Sequence, residues 1–119
     1  MILVPTKVTV ADNTHIKELK TIRIKRKKYG FEGESIICVI KKIQEQKRLK
    51  KGQLINGLIV RTKKIYLRLD GTSFLFTDNA IITLTKEQGL IGTRLLGPIP
   101  YHVYKRKYAK IFTLQTYII

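Results

Sequence analysis

The stretch "RTKKIYLRLDGTSFLFTDNA", residues 61 to 80, sets strand-forming residues on both sides of Asp70-Gly71. An Asp-Gly pair between alternating apolar residues supplies the two positive φ values of a two-residue type I′ turn, and such a turn fixes the register of its arms. In that register Leu69 faces Thr72, Leu67 faces Phe74 and Ile65 faces Phe76 on one side. Arg68 with Ser73, Tyr66 with Leu75 and Lys64 with Thr77 occupy the other. One face is apolar and the other largely basic. A two-stranded ribbon is marginal alone in water, so the apolar face is expected to pack on further strands and the Lys64/Tyr66/Arg68 face to be left for a ligand.

Strand-length apolar or alternating runs flank this ribbon: "KVTVA" (7 to 11), "LKTIRIK" (19 to 25), "SIICVIKK" (35 to 42), "NGLIVRTK" (56 to 63) and "AIITLT" (80 to 85). Gly, Asn and Asp punctuate the intervals, and strands so closely spaced predict a mainly β chain folded as a small antiparallel barrel or sandwich. The run 36 to 40 is apolar on both parities, which predicts a central strand covered on both faces. Residues 41 to 52, "KKIQEQKRLKKG", suit a short helix closed by Gly52 or a polar loop, and the pattern alone leaves both open. Beyond Gly89 a loop is expected, then a short helix over roughly 100 to 107 opened by Pro98 or Pro100, with Ile99 against Val103. No repeat or Gly/Ser-rich linker divides the chain, so residues 1–119 are expected to form a single domain.

Charge narrows the partner. The 119 residues hold 24 Lys plus Arg against 8 Asp plus Glu, a net charge of +16 whose self-repulsion calls for a polyanion. No basic amphipathic helix and no apolar span of about 18 residues is present, so a membrane partner is not expected. "MILVPTKVTV" lacks the regions of a signal or transit peptide. Cys38 is the single cysteine, set among apolar residues as a small buried side chain, which fits a reducing compartment.

Cations gather in "KRKK" (25 to 28), "KRLKK" (47 to 51), "RTKK" with Arg68, and "KRKYAK", which contributes Lys105, Arg106, Lys107 and Lys110. Several separate clusters suit a protein packed among RNA segments better than a reader of duplex DNA, which concentrates charge on one element. Tyr101, Tyr104 and Tyr108 interleave with the last cluster and can stack on bases, although core packing is an ordinary use for at least one. "GTR" at Gly92, Thr93 and Arg94 can bring backbone close to a phosphate, and a plain turn uses the same residues. The eight acids show no metal-ligand spacing, and Asp12, Asp70 and Asp78 fit turn roles. With His15 and His102 the only imidazoles and no Walker loop or nucleophile elbow, no catalytic residue, metal or cofactor is expected. A free single-stranded nucleic-acid-binding barrel is the alternative function; a nuclease using Asp70, Asp78 and His102 is remote.

In order along the chain, "VADN" (10 to 13), "KKG" (50 to 52), "VRTKK" (60 to 64), "DG" (70 to 71), "DNA" (78 to 80), "GTR" (92 to 94) and "GP" (97 to 98) carry a resemblance to the universal large-subunit ribosomal protein fourteen family. The likeness runs from Met1 to the C terminus. It implies a five-stranded β-barrel with a projecting ribbon and a short helical C-terminal segment, a structural constituent of the large subunit bound to its RNA near the subunit interface. By position, the family's RNA-contacting residues fall on Lys50, Lys51, Arg61, Lys63, Lys64, Arg68 and Gly92 to Arg94. It also implies as partners neighbouring large-subunit proteins, small-subunit RNA across an intersubunit bridge, and a ribosome-silencing factor. The sequence departs from the usual bacterial pattern: "NTHIK" (13 to 17) stands where Ser-Gly-Ala-Lys is common, and "GPIPYHVYKRK" replaces Gly-Pro-Val-Ala-Arg-Glu-Leu-Arg. Heavy use of Ile and Lys with these departures resembles a protein encoded in a mitochondrial genome and working in the matrix, with a plastid or an AT-rich bacterium as alternatives.

Overall fold

The computed structural model describes residues 2–24, 28–45, 48–87, 89–101, 103 and 119. Among them run nine strands: β1 (Ile2–Leu3), β2 (Lys7–Val10), β3 (Ile16–Ile24), β4 (Tyr29–Gly30), β5 (Ser35–Ile43), β6 (Leu54–Arg61), β7 (Tyr66–Leu67), β8 (Ser73–Phe74) and β9 (Ala80–Leu84). Five of these close a barrel in the order β2-β3-β5-β6-β9, β9 returning to β2 in parallel and the other pairs running antiparallel. The small pair β1-β4 and the ribbon β7-β8 stand outside it.

Alternation decides what fills the barrel. Along β5, Ile36, Cys38 and Ile40 point inward while Ile37 and Lys41 point out; Leu19 and Ile24 of β3, Ile55 and Ile59 of β6 and Ile81 of β9 meet them in one buried cluster. Burying each such Ile or Leu is worth about 1.5–3 kcal/mol, so this one layer supplies the driving force for closure. Gly57 on β6 is part of that fit, since a side chain there would collide with the Ile81 methyl of the neighbouring strand β9.

The doubly covered strands are β6 and β9, not the run 36 to 40. Ile37 is 36% exposed and Val39 half-buried, whereas every residue of β9 is buried. The chain after β9 folds back over the outside of the barrel, so Leu58, Val60, Ile82 and Leu84 form a second cluster with Leu95, Ile99 and Val103. An apolar run on both parities told that a cover exists; which strand it lies on depends on where residues 90–103 cross. Ile99 and Val103 share that cluster, as expected, and a tight turn joins the Val103 N–H to the Pro100 carbonyl. The remainder of the expected helix over 100 to 107 lies outside the described residues.

For residues 41 to 52 the described part settles on the loop. β5 continues to Ile43, and the chain then turns back through Lys50, Lys51 and Gly52, whose φ of +85° closes the turn. The Gly52 N–H donates to the Ile40 carbonyl at 2.8 Å.

Candidate nucleic-acid interface

The ribbon leaves the end of β6 and turns at Asp70-Gly71, but in a different register from the one its sequence suggests. Tyr66 pairs with Phe74 and Leu67 with Ser73, so the loop holds three residues rather than two. The Arg68 N–H donates to the Thr72 carbonyl at 2.9 Å, the Gly71 N–H donates to the Arg68 carbonyl at 3.1 Å, and Gly71 alone takes a positive φ, +86°. Asp70 selects this turn. Its Oδ1 accepts from the Thr72 N–H and hydroxyl, a local bond that a two-residue turn does not offer, and those bonds hold the exposed carboxyl below the usual carboxylate range.

A one-residue change of register turns a whole arm over. Phe74 and Phe76 therefore share a face with Lys64, Tyr66 and Arg68, where the two-residue reading put them with the leucines. Tyr66 stacks on Phe74 with centroids 5.2 Å apart, and Phe74 meets Phe76 edge-on at 5.5 Å. The Arg68 guanidinium lies over the Phe74 ring at 4.6 Å, and the Lys64 ammonium lies over Phe31 at 4.4 Å. Of the face expected to pack on the barrel only Phe76 is buried; its aliphatic members Ile65 and Leu67 are 62% and 82% exposed and Leu69 fully so, as is more than half of Leu75 from the other expected face. Aromatic rings do the anchoring, because Phe76 is buried at the ribbon base, in one hollow with Arg61, Asp78 and Pro98, and Tyr66 reaches a buried acid.

That acid is Glu32, in the loop after β4. Oε1 accepts from the Thr62 N–H at 3.0 Å and the Thr62 hydroxyl at 2.8 Å, and Oε2 accepts from the Tyr66 hydroxyl. On the other side, Asn79 Oδ1 accepts from the Lys63 N–H at 2.9 Å. Both arms of the ribbon are thus tied at their base, and Lys63, Lys64 and Arg68 project from a fixed support with exposed side chains.

Arg61 has a different place from these three. Its side chain is 10% exposed; Nη2 meets the Asp78 carboxylate at 3.2 Å, and Nη1 donates to the Leu96 carbonyl at 3.2 Å and the Pro98 carbonyl at 3.4 Å. It braces the C-terminal segment against the ribbon base.

At the opposite end of the barrel, the turn carrying exposed Lys50 and Lys51 follows β5. The loop of Gly92, Thr93 and Arg94 adjoins residues 48–49 there, since Arg48, Leu49, Gly92 and Thr93 line one hollow. Asn13 clamps the loop: its Oδ1 accepts from the Thr93 N–H at 2.9 Å and the Arg94 N–H at 3.3 Å, and its Nδ2 donates to the Thr93 hydroxyl at 3.0 Å. Gly92 is buried, and its missing side chain makes room for Asp12, whose Cβ lies 2.8 Å from where a Gly92 Cβ would be. The small residue serves this packing and leaves Thr93 and Arg94 exposed. Asp12 in turn accepts from the Thr14 and Thr83 N–H groups and hydroxyls. The candidate residues therefore fall into two basic ends separated by the barrel; Lys105, Arg106, Lys107 and Lys110 lie outside the described residues. Among the described residues no group of three His, Cys, Asp or Glu is placed to hold a metal ion.

Glu32, Asn13, Asn79 and Phe31, which fix these cations in place, carry no signal in a single sequence beyond their being polar or aromatic loop residues. Only the "VADN" and "DNA" motifs marked two of them as belonging to a pattern.

Known proteins share this pattern along the whole chain. The large ribosomal subunit protein uL14 of Petrotoga mobilis (strain DSM 10674 / SJ95) is 38% identical over 117 residues, covering 96% of both chains. The large ribosomal subunit protein uL14c of Helicosporidium sp. subsp. Simulium jonesii is 40% identical over 122 aligned positions, covering 100% of both. The family described as Ribosomal protein L14p/L23e matches residues 1–119. With the closed barrel, its basic ribbon and a match from the first residue to the last, this chain belongs to the Ribosomal protein L14p/L23e family.

Proposed function

We propose that this chain is a structural constituent of the large ribosomal subunit that binds large-subunit RNA with both basic ends of its barrel. Lys63, Lys64 and Arg68 on the ribbon and Lys50, Lys51, Thr93 and Arg94 at the far end are the contacts, with Lys105, Arg106, Lys107 and Lys110 adding to them. Arg61 supports the ribbon base, and Gly92 the loop that presents Thr93 and Arg94. The observation that carries the reading is the ribbon itself: Lys64 and Arg68 are held over aromatic rings, so their charges are oriented before RNA arrives and lose little side-chain freedom on binding. Phosphates of converging RNA segments would neutralise a charge of +16 and let the subunit compact around the barrel. The role is architectural, without turnover.

Neighbouring large-subunit proteins, small-subunit RNA across a bridge and a silencing factor are the further partners that family membership suggests. A mitochondrial matrix ribosome is the proposed location, resting on the Ile- and Lys-rich composition and the departures from the bacterial pattern, with a plastid or an AT-rich bacterium as the alternatives.

Changing Lys64 and Arg68 together to Glu tests the reading, with the variant's folding checked by circular dichroism. The double variant is expected to be absent from large subunits in a sucrose gradient. Wild-type levels in the subunit fraction would remove the ribbon from the interface; wild-type protein found only at the top of the gradient would favour a free RNA-binding barrel.

A further inference from the structure

The barrel carries a third feature away from both basic ends. Register across four strands places Arg23 opposite Ile37, Ile37 opposite Asn56, and Asn56 opposite Leu84, so the four residues form one row on the outer surface. Leu95, Ile99 and Val103 of the C-terminal segment pack on Leu58, Val60, Ile82 and Leu84, whereas in this row Asn56 is half-buried and Ile37 exposed. A groove of about 220 Å³ opens there, completed by Ser35, Ile36 and Lys86.

Its chemistry is specific. The floor is aliphatic, one carboxamide faces the opening, and a cation stands at each side, Arg23 on β3 and Lys86 just past β9; no acid is among its described lining residues. Neither cation has an acidic partner among the described residues. The volume falls below the roughly 300–1,000 Å³ of sites for drug-sized ligands and suits a single planar ring system. A flat apolar floor takes the face of a base, a guanidinium plane can lie along it, and a carboxamide offers a donor and an acceptor side by side to a base edge. Three strand spacings, about 14 Å, separate the strands of Arg23 and Leu84, so cations at the two sides reach phosphates before and after the base rather than one phosphate twice. A base stacked within a duplex cannot present its face to the floor.

We propose that this groove binds one unpaired nucleotide of large-subunit RNA, its base on Ile37, its edge on Asn56, and its flanking phosphates on Arg23 and Lys86. The assignment rests on the RNA-binding function proposed above and adds a base-recognising contact to phosphate contacts. An acidic peptide would use the two cations but would leave the aliphatic floor and the carboxamide without a purpose.

The test compares chemical probing of RNA in purified large subunits carrying the wild-type protein, Asn56→Asp, or Arg23→Ala with Lys86→Ala. These exposed or half-exposed positions spare the core and the ribbon, so the variants are expected to enter subunits. Reactivity of one unpaired nucleotide should rise about fivefold or more in Asn56→Asp, the smallest change expected from losing a bidentate base contact, and the same nucleotide should rise in the double variant, while the rest of the profile stays constant. Ultraviolet cross-linking of wild-type subunits should attach a nucleotide to the peptide containing Ile37 or Asn56. Unchanged reactivity in subunits that contain the variants, or a neighbouring protein cross-linked to this peptide in place of RNA, would overturn the groove assignment alone. Absence of the wild-type protein from subunits would overturn the proposed function and this inference together.

Discussion

Arg61 occupies the space that a side chain on Gly97 would fill: a Cβ built on Gly97 would land on Arg61 Nη1. The same guanidinium meets Asp78 at 3.2 Å and the carbonyls of Leu96 and Pro98, so the glycine lets one cation join β6, the ribbon base and the C-terminal segment. Gly97 also has a φ of +82°, and Gly52 one of +85° with nothing near its missing side chain.

That pair of glycines separates strain from collision. Gly52→Ala is expected to lose about 1–2 kcal/mol, the cost of a left-handed L residue. Gly97→Ala should lose that and roughly 1–3 kcal/mol more, because Arg61 must leave its buried partners. Thermal unfolding of the two variants side by side measures the difference, and equal losses would mean that Arg61 moves aside freely.

Glu32 is the buried tie between barrel and ribbon, holding Thr62 and Tyr66. Glu32→Ala leaves the Thr62 N–H and hydroxyl without their acceptor and should cost about 1–3 kcal/mol, while Tyr66→Phe removes one donor and should cost about 1 kcal/mol. Amide exchange at Thr62 is expected to accelerate in Glu32→Ala. If Tyr66→Phe proves the more damaging, the ribbon is held mainly by its rings rather than by the acid.

His15 takes a φ of 63°, a conformation that residues other than glycine adopt at a cost. His15→Gly is expected to raise stability on the order of 0.5–1 kcal/mol and the melting temperature by a few degrees. A lower melting temperature would mean that the imidazole makes a stabilising contact outweighing the strain.

Burial pushes the Cys38 thiol from 9.0 up to about 12. The native thiolate fraction near neutral pH then falls roughly a thousandfold below that of the unfolded chain, so alkylation should follow opening of the barrel. The raised value also has a sign for stability. The folded chain keeps a proton that the unfolded chain releases above pH about 9, so this contribution is constant below that pH and lost between about 9 and 12. Cys38→Ala should flatten this part of the stability curve; an unchanged slope would place its cause in other groups.

The candidate site was partly legible before the fold was known. Clusters of Lys and Arg beside turn residues mark the cations as candidate groups, and the punctuated strand runs identify a β fold, because both follow from local composition and period. Register of the ribbon was not legible: Asp-Gly serves two-residue and three-residue turns alike, and the Thr72 bonds that select the longer turn form only once Asp70 has folded over it. Arg61 and Arg68 look equivalent in "RTKKIYLR", yet one is buried against Asp78 and the other lies over Phe74.

The sequence by itself determined that this chain is a mainly β, strongly basic protein of the Ribosomal protein L14p/L23e family, since period, charge and ordered motifs need no knowledge of contacts across the fold. Tertiary structure alone decided which strands are covered on both faces, which arginine braces and which is presented, and which residues meet around the Arg23–Asn56–Lys86 groove. The physical reason is that each of these depends on residues far apart in the chain arriving at one place, and closure of the barrel brings them there.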